Sequence, residues 1–148
     1  MLAKFLGTCL LLAISGAIVY FGARSHTIEC VRDRSGRVSA TITHSGINYS
    51  KKERIPGELL RAELEVDSEG STSYRVRLIT MKYTTFLTKT GSSNYTDLNR
   101  TIEQINYFIQ ESTQKSMSVT QDDRLGNYIS GGIFGIAGLI VLLSPTRG

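Results

Sequence analysis

The pattern of apolar and polar positions divides the chain into three parts. An uncharged apolar run from Phe5 to Ala23 is closed by Lys4 and Arg24, and a second from Leu125 to Ser144 is closed by Arg124 and Arg147. Each is about 19–20 residues, which at ~1.5 Å of rise per helical residue just crosses a hydrocarbon core of ~30 Å. The pattern therefore predicts two transmembrane helices, 5–23 and 125–144, carrying one polar domain between them. A removed signal peptide is the alternative for the first run: Lys4 supplies a positive start and Ser15-Gly16-Ala17 offers small residues at a cleavage spacing. The run continues through Ile18, Val19, Tyr20 and Phe21, longer than a signal core needs, and this favours an uncleaved span.

After Arg24 the period becomes two. Ile28 and Cys30 share one face of Thr27–Arg32, Asp33-Arg34-Ser35-Gly36 is a turn cluster, and Val38, Ala40 and Ile42 share one face of the next run. Two alternating runs joined by a short glycine-containing turn make a hairpin. Ser45–Arg54 reads several ways, with Lys51-Lys52-Glu53-Arg54 as a solvated turn. From Leu60 to Val66 the even positions are apolar and Arg61, Glu63 and Glu65 face the other way. Folded against Ser73–Thr80 with Val66 opposite Tyr74, this strand sets Glu65 across from Arg75 and Glu63 across from Arg77. Such cross-strand pairs contribute ~0.2–1 kcal/mol each and explain the charges without a ligand. Tyr83–Lys89 is a further β-rich run.

From Asp97 the period is helical: Leu98, Ile102, Ile105, Phe108 and Ile109 form one apolar stripe, with Thr96 as the expected N-cap. Lys115–Arg124 reads as a polar linker to the second span. The expected fold is α+β: residues 25–114 form five or six antiparallel strands, as a bent sheet or partly open barrel, capped by one terminal helix over about 95–112. The order looks like the pleckstrin-homology-like architecture, an analogy of fold that carries no ligand with it.

Several short motifs carry a further resemblance: Glu29-Cys30-Val31-Arg32, Tyr74-Arg75-Val76-Arg77-Leu78, Ile105-Asn106-Tyr107-Phe108-Ile109, and Gln121-Asp122-Asp123-Arg124 before a glycine-rich run. Together they resemble a family of uncharacterised bacterial membrane proteins, frequent in cyanobacteria. The resemblance implies two spans around a pleckstrin-homology-like domain and an inner or thylakoid membrane; it implies no activity. A second cysteine common in that family is replaced here by Val38, Ser39 or Ala40, so a family disulfide or metal role does not carry over.

Charge and composition narrow the function. Of 17 lysines and arginines only Lys4 and Arg147 lie outside Arg24–Arg124, where all 13 acidic residues also fall, so the net charge of +4 is a mixed surface rather than a nucleic-acid footprint. The basic residues beside the spans favour a cytoplasmic centre, although the rule weakens for loops above ~60 residues. With Cys9 in the first run, Cys30 is the one thiol of the central domain, and no cofactor or metal is expected. His26 and His44 are the only histidines, placed so that the first hairpin can bring them together, with nothing else catalytic nearby. Asn48, Asn94 and Asn99 begin glycosylation triplets, relevant only to an exported eukaryotic protein. Asp122 and Asp123 beside Arg124 read as a solvated linker.

Two sets of residues remain as interaction candidates. Gly131, Gly135 and Gly138, with Ala13 and Ala17 in the first run, permit close helix approach, either between the two spans or to another membrane protein or a second copy. Arg34, Arg37, Lys51, Lys52 and Arg54 are candidates for anionic lipid headgroups, where a basic residue contributes ~1 kcal/mol. The sequence thus points to a non-enzymatic accessory or interaction protein in a membrane assembly. A headgroup-sensing module is the second reading and an unrecognised enzyme the third.

Overall fold

The computed structural model describes residues 2–68, 72–88, 91–122 and 124–144, with the side chains of 2–4, 125 and 126 left aside. It is an α+β chain with antiparallel sheets and three helices: α1 (Leu2–Gly22), β1 (Ser25–Arg32), β2 (Val38–Ser45), β3 (Ser50–Ile55), β4 (Leu59–Asp67), β5 (Ser73–Thr80), β6 (Thr84–Phe86), α2 (Tyr95–Gln110), β7 (Ser116–Asp122) and α3 (Arg124–Leu143). Contacts group these elements into two units. One holds α1, α3 and the turn Gly46–Tyr49; the other holds the strands and α2.

In the β unit the strands form two sheets, ordered β3-β2-β1-β7 and β4-β5-β6. The register of β4 against β5 is the one the alternation demands: Val66 faces Tyr74, Glu65 faces Arg75 and Glu63 faces Arg77. On the outer face Glu65 binds Arg75 at 2.9 Å and Arg77 at 3.4 Å, while Glu63 binds Arg77 at 2.7 Å and Arg61 at 2.8 Å. The hydrogen bond from Arg77 holds the Glu63 carboxyl below its ordinary range. A register shift between Leu59 and Arg61 alters the start of β4, so that Leu59 is buried and Leu60, expected inward, is exposed.

Alternation places Ile28, Cys30, Val38, Ala40 and Ile42 in the core, together with Val76 and Leu78 from the second sheet. Leu98, Ile102, Ile105 and Phe108 of α2 complete it, as the apolar stripe requires. Two polar side chains fix the helix. The Asn106 amide accepts from Ala62 N–H at 2.8 Å and donates to Ala62 O at 2.9 Å, standing in for a neighbouring strand on the edge strand β4. Arg32 stacks on Phe108 and donates to the carbonyls of Phe108, Ile109 and Glu111, which the last turn of α2 leaves unsatisfied.

Four further expectations change. The helix cap is Asn94 rather than Thr96: its side chain accepts from Asp97 N–H and bonds back to the Asp97 carboxylate, so α2 starts three residues before the apolar stripe. Lys51–Arg54 lies in β3, with Thr41 opposite Arg54 and Thr43 opposite Lys52; as an edge strand it tolerates charge on both faces. Strand β6 is confined to Thr84–Phe86, and Lys89 lies outside the described residues.

Most consequential is Lys115–Arg124, expected to be a linker. It contains β7, which pairs antiparallel to β1: Arg32 N–H donates to Lys115 O at 2.9 Å, and the Thr27 and Thr120 hydroxyls meet at 2.9 Å. The helix is therefore followed by a seventh strand instead of closing the domain. Only Met117 and Val119 turn apolar side chains to the core, too few to show the period of two against a serine- and threonine-rich background.

In the helical unit, the stretch Phe5–Gly22 of α1 has a mean hydropathy of 2.0 and is long and apolar enough to cross a membrane. A signal sequence near the N-terminus has the same length and composition. The apolar part of α3, Asn127–Leu143, is shorter.

Candidate functional site

The seam between α1 and α3 is built on glycine. A Cβ on Gly131 would stand 2.4 Å from Val19 Cγ2 and 3.2 Å from Ser15 O; one on Gly135 would stand 3.3 Å from Ser15 Oγ; one on Gly138 would stand 3.3 Å from Leu11 Cβ. The three candidate glycines therefore all face α1. Ser15 Oγ donates to Gly131 O at 2.6 Å, and the Asn127 amide donates to Gly22 O at 2.8 Å, so two polar side chains lock the seam along with the close packing. Ala13 and Ala17 do not join it: both are exposed on α1. Leu11, Ser15 and Val19, spaced by four, form the facing row instead. Ser15 and Asn127 were not among the sequence candidates, although polar side chains within apolar runs are the usual sign of such bonds.

The five basic candidates fall in different places. Arg34 is exposed in the β1–β2 turn, where Arg37 lies 3.5 Å from Asp33. Lys51 and Lys52 point to opposite faces of β3, Lys51 within 4.0 Å of Glu53 and Lys52 within 4.0 Å of Glu29. Hydrogen bonds from Ser35 and the backbone hold the Asp33 carboxyl below its ordinary range. Arg37 and Arg54 do converge: with Lys82 they line an open cleft of about 390 Å³, which Asp33 and Glu58 also line. Among the described residues Arg54 and Lys82 have no ion pair. Lys82 was not foreseen because it lies in the β5–β6 turn, far from the others in sequence.

A second cleft of about 250 Å³ opens between the β2–β3 wall and the segment 83–86. Ile42, Ile55 and Phe86 give it apolar surface, and His44, Glu53, Tyr83 and Thr85 give it polar groups. Beside it His26 and His44 meet, Nδ1 to Nδ1, at 2.7 Å, with the rings edge to face at 4.9 Å. The hairpin brings the two together as its turn dictates: Asp33 N–H donates to Arg37 O, and counting back along both strands sets His26 opposite His44. No group of three or more His, Cys, Asp or Glu side chains able to hold a metal occurs among the described residues.

No protein-family model matches this chain, and no curated protein or solved structure matches it either. The candidate sites thus stand on their own geometry.

Cys30 sits in the core beneath the first hairpin, and burial pushes its thiol up to about 12. The thiolate is the reactive form. In a Cys9→Ser background, Cys30 is expected to resist maleimide at pH 8 in the folded protein and to react within minutes in denaturant. Rapid labelling without denaturant would show that the β1–β2 sheet opens far more readily than its packing implies.

Proposed function

We propose that α1 and α3 span a bilayer as a hairpin and that the protein is a membrane-anchored accessory or interaction protein carrying one small β-rich domain. One observation carries the membrane reading. Apart from the glycine seam, the two helices expose large apolar side chains around their circumference, among them Phe5, Leu10, Phe21, Ile133, Ile136 and Leu143, and only 6% of the Phe5–Gly22 stretch is buried. Water would penalise that surface at about 25 cal/mol per Å², whereas lipid does not. At ~1.5 Å per residue the apolar part of α3 reaches ~25 Å, which fits a slightly thinned or tilted hairpin. The β unit then projects from one membrane face, the cytoplasmic one by its flanking basic residues. Its antiparallel sheets and packed amphipathic helix support a pleckstrin-homology-like arrangement, in a variant form with β7 added beside β1. The bacterial membrane family resembled in sequence remains the proposed relationship.

The interaction role rests on what the anchored domain presents. Its charges are mostly paired with one another, and its thiol is buried. A headgroup-sensing role is the second reading, favoured by Arg37, Arg54 and Lys82 around one cleft and opposed by Asp33 and Glu58 in the same wall.

Purification of the full chain from its native membranes in mild detergent distinguishes the two. A stoichiometric membrane-protein partner is expected. A chain recovered alone, whose binding to phosphatidylserine vesicles falls tenfold in Arg37→Ala/Arg54→Ala/Lys82→Ala, overturns the accessory role in favour of headgroup sensing.

A further inference from the structure

The turns at the two ends of β2 differ in chemistry. Asp33-Arg34-Ser35-Gly36, before it, carries no large apolar side chain, as a turn in water favours. Gly46-Ile47-Asn48-Tyr49, after it, sets two at a hairpin tip, where Ile47 is 46% exposed and Tyr49 48%. Neither belongs to the core of the β unit. The turn is nonetheless tightly built. Gly46 N–H donates to Tyr49 O at 2.9 Å, directly beyond the Ser45–Ser50 pair. A Cβ on Gly46 would strike the Tyr49 ring, so the bare glycine lets that ring lie against the turn. The sequence thus holds an aromatic side chain at the tip without burying it.

Strand register explains where the tip falls. β1 begins at Ser25, just after α1, and β2 ends at Ser45. Asp33 N–H donates to Arg37 O, and counting back along both strands from that turn sets Ser25 opposite Ser45. The next four residues therefore overshoot β1 and run beside the end of α1. Contacts accordingly group Gly46–Tyr49 with α1 and α3 rather than with the strands that the turn joins. The end of α1 and the start of α3 meet through the Asn127–Gly22 bond. Exposed aromatic rings gather there: Tyr20 and Phe21, edge to face at 5.1 Å, in the last turn of α1, and Tyr128 in the second turn of α3. Basic residues stand beside them, with Arg24 after α1, Arg124 opening α3, and Lys51 and Lys52 after the turn.

Tyrosines at the headgroup level with basic residues just beyond them are the usual flank of a membrane span. We propose that the β2–β3 turn is a third membrane contact, its Ile47 and Tyr49 entering the lipid interface beside Tyr20, Phe21 and Tyr128. Ile47 brings apolar area to the acyl boundary. Tyr49 is amphipathic, with an apolar ring and a hydroxyl that stays wet, which suits the same layer. Lys51 and Lys52 follow on opposite faces of β3, where their stems lie along the interface and their ammonium groups reach anionic headgroups. Their pairs with Glu53 and Glu29, each at 4.0 Å between exposed side chains, are too weak to hold them back. The occupant of the exposed tip is therefore lipid, continuous with the lipid around the two helices. The inference rests on reading α1 and α3 as spans, and ties the β2–β3 strand pair to the bilayer separately from the chain links through β1 and β7.

Amide NMR of the full chain in phosphatidylcholine/phosphatidylglycerol bicelles tests this, with nitroxide lipids labelled either just below the headgroup or near the bilayer centre. The shallow nitroxide is expected to cut the signals of Ile47, Asn48 and Tyr49 at least threefold, as it does those of Tyr20 and Tyr128, and to spare Gly36. The deep nitroxide is expected to act on Ser15 and Gly135 and to spare the turn. Losses at Ser15 and Gly135 with an unaffected turn overturn the third contact and leave the membrane hairpin standing. If neither nitroxide touches Ser15 or Gly135, the hairpin reading fails and the contact falls with it. An equal loss at Gly36 means that the whole β1–β2 hairpin lies along the bilayer, which also overturns a contact specific to the turn. In Ile47→Ser/Tyr49→Ser the Asn48 signal is expected to recover at least twofold while Tyr128 stays reduced. A loss at Asn48 that survives both substitutions shows that the strands alone place the turn there, and overturns the anchoring role of the two side chains.

Discussion

Phe108→Ala is expected to destabilise the β unit by about 3–5 kcal/mol, the usual cost of removing a buried aromatic side chain. Phe108 is 1% exposed and packs in the common core of the two sheets and α2. Its loss removes more than packing volume, because the ring also carries the Arg32 guanidinium, 5.2 Å from its centroid. That guanidinium donates to three carbonyls near the end of α2, to Gly36 O in the first turn at 2.9 Å and to Gln114 O before β7 at 3.3 Å. One side chain thus ties β1, the β1–β2 turn, the helix end and the approach to β7. Charge-assisted bonds of this kind contribute ~1.5–3 kcal/mol each when intact, less where they are exposed and share one donor group. Arg32→Ala is therefore expected to cost ~2–3 kcal/mol, and the double variant less than the sum, since each change already disables the other's contact. Urea unfolding of the full chain in micelles, followed by amide exchange in α2 and β1, measures all three. A loss below 1 kcal/mol for Phe108→Ala would mean that α2 is not part of the core that holds the sheets.

The contrast between legible and hidden elements has a physical basis. The β4–β5 register could be read in advance because alternation fixed the faces and the opposed signs of Glu63, Glu65, Arg75 and Arg77 selected one pairing. The buried stripe of α2 was legible for the same reason, since periodicity reports which face meets a core. Features that depend on single backbone bonds left no such trace. The irregularity at Leu59–Arg61 shifts one residue without disturbing the alternation beyond it, and Asn94 caps α2 through a turn that Thr96 would serve equally well on composition. Strand β7 was hidden because an edge strand needs only a thin apolar face, here Met117 and Val119. In the candidate seam the glycines were legible but their partners were not. Ala13 and Ala17 have the right size and spacing, yet the rotation of α1 places Leu11, Ser15 and Val19 toward the glycines. With that rotation go two hydrogen bonds, from Ser15 and Asn127, which no periodicity encodes.

Gly131→Leu is expected to open the α1–α3 hairpin, and Gly132→Leu, its sequence neighbour, to leave it closed. At Gly131 even a methyl group meets Val19 Cγ2 at 2.4 Å and the Ser15 carbonyl at 3.2 Å. Val19 can rotate away, but the carbonyl belongs to the backbone of α1 and retreats only if the helices separate. Separation breaks the 2.6 Å bond from Ser15 to Gly131 O and forfeits the dispersion contacts of the whole seam. Overpacking costs ~1–3 kcal/mol, and the lost bond adds ~1 kcal/mol. Replacing glycine in a helix returns up to ~1 kcal/mol through propensity, too little to offset the clash. At Gly132 a Cβ meets nothing within 4 Å, so there the propensity gain acts alone. Closure can be read directly, because a Cβ on Gly138 would lie 3.3 Å from Leu11 Cβ, close to disulfide spacing. In a Cys9→Ser background, Leu11→Cys/Gly138→Cys is expected to cross-link within the chain. Adding Gly131→Leu is expected to cut the yield at least tenfold, while Gly132→Leu preserves it. The same pair separates internal packing from lateral docking. If Gly132→Leu keeps the cross-link yet releases a bound partner, the outward face of α3 makes that contact; if only Gly131→Leu releases it, the partner depends on the closed hairpin.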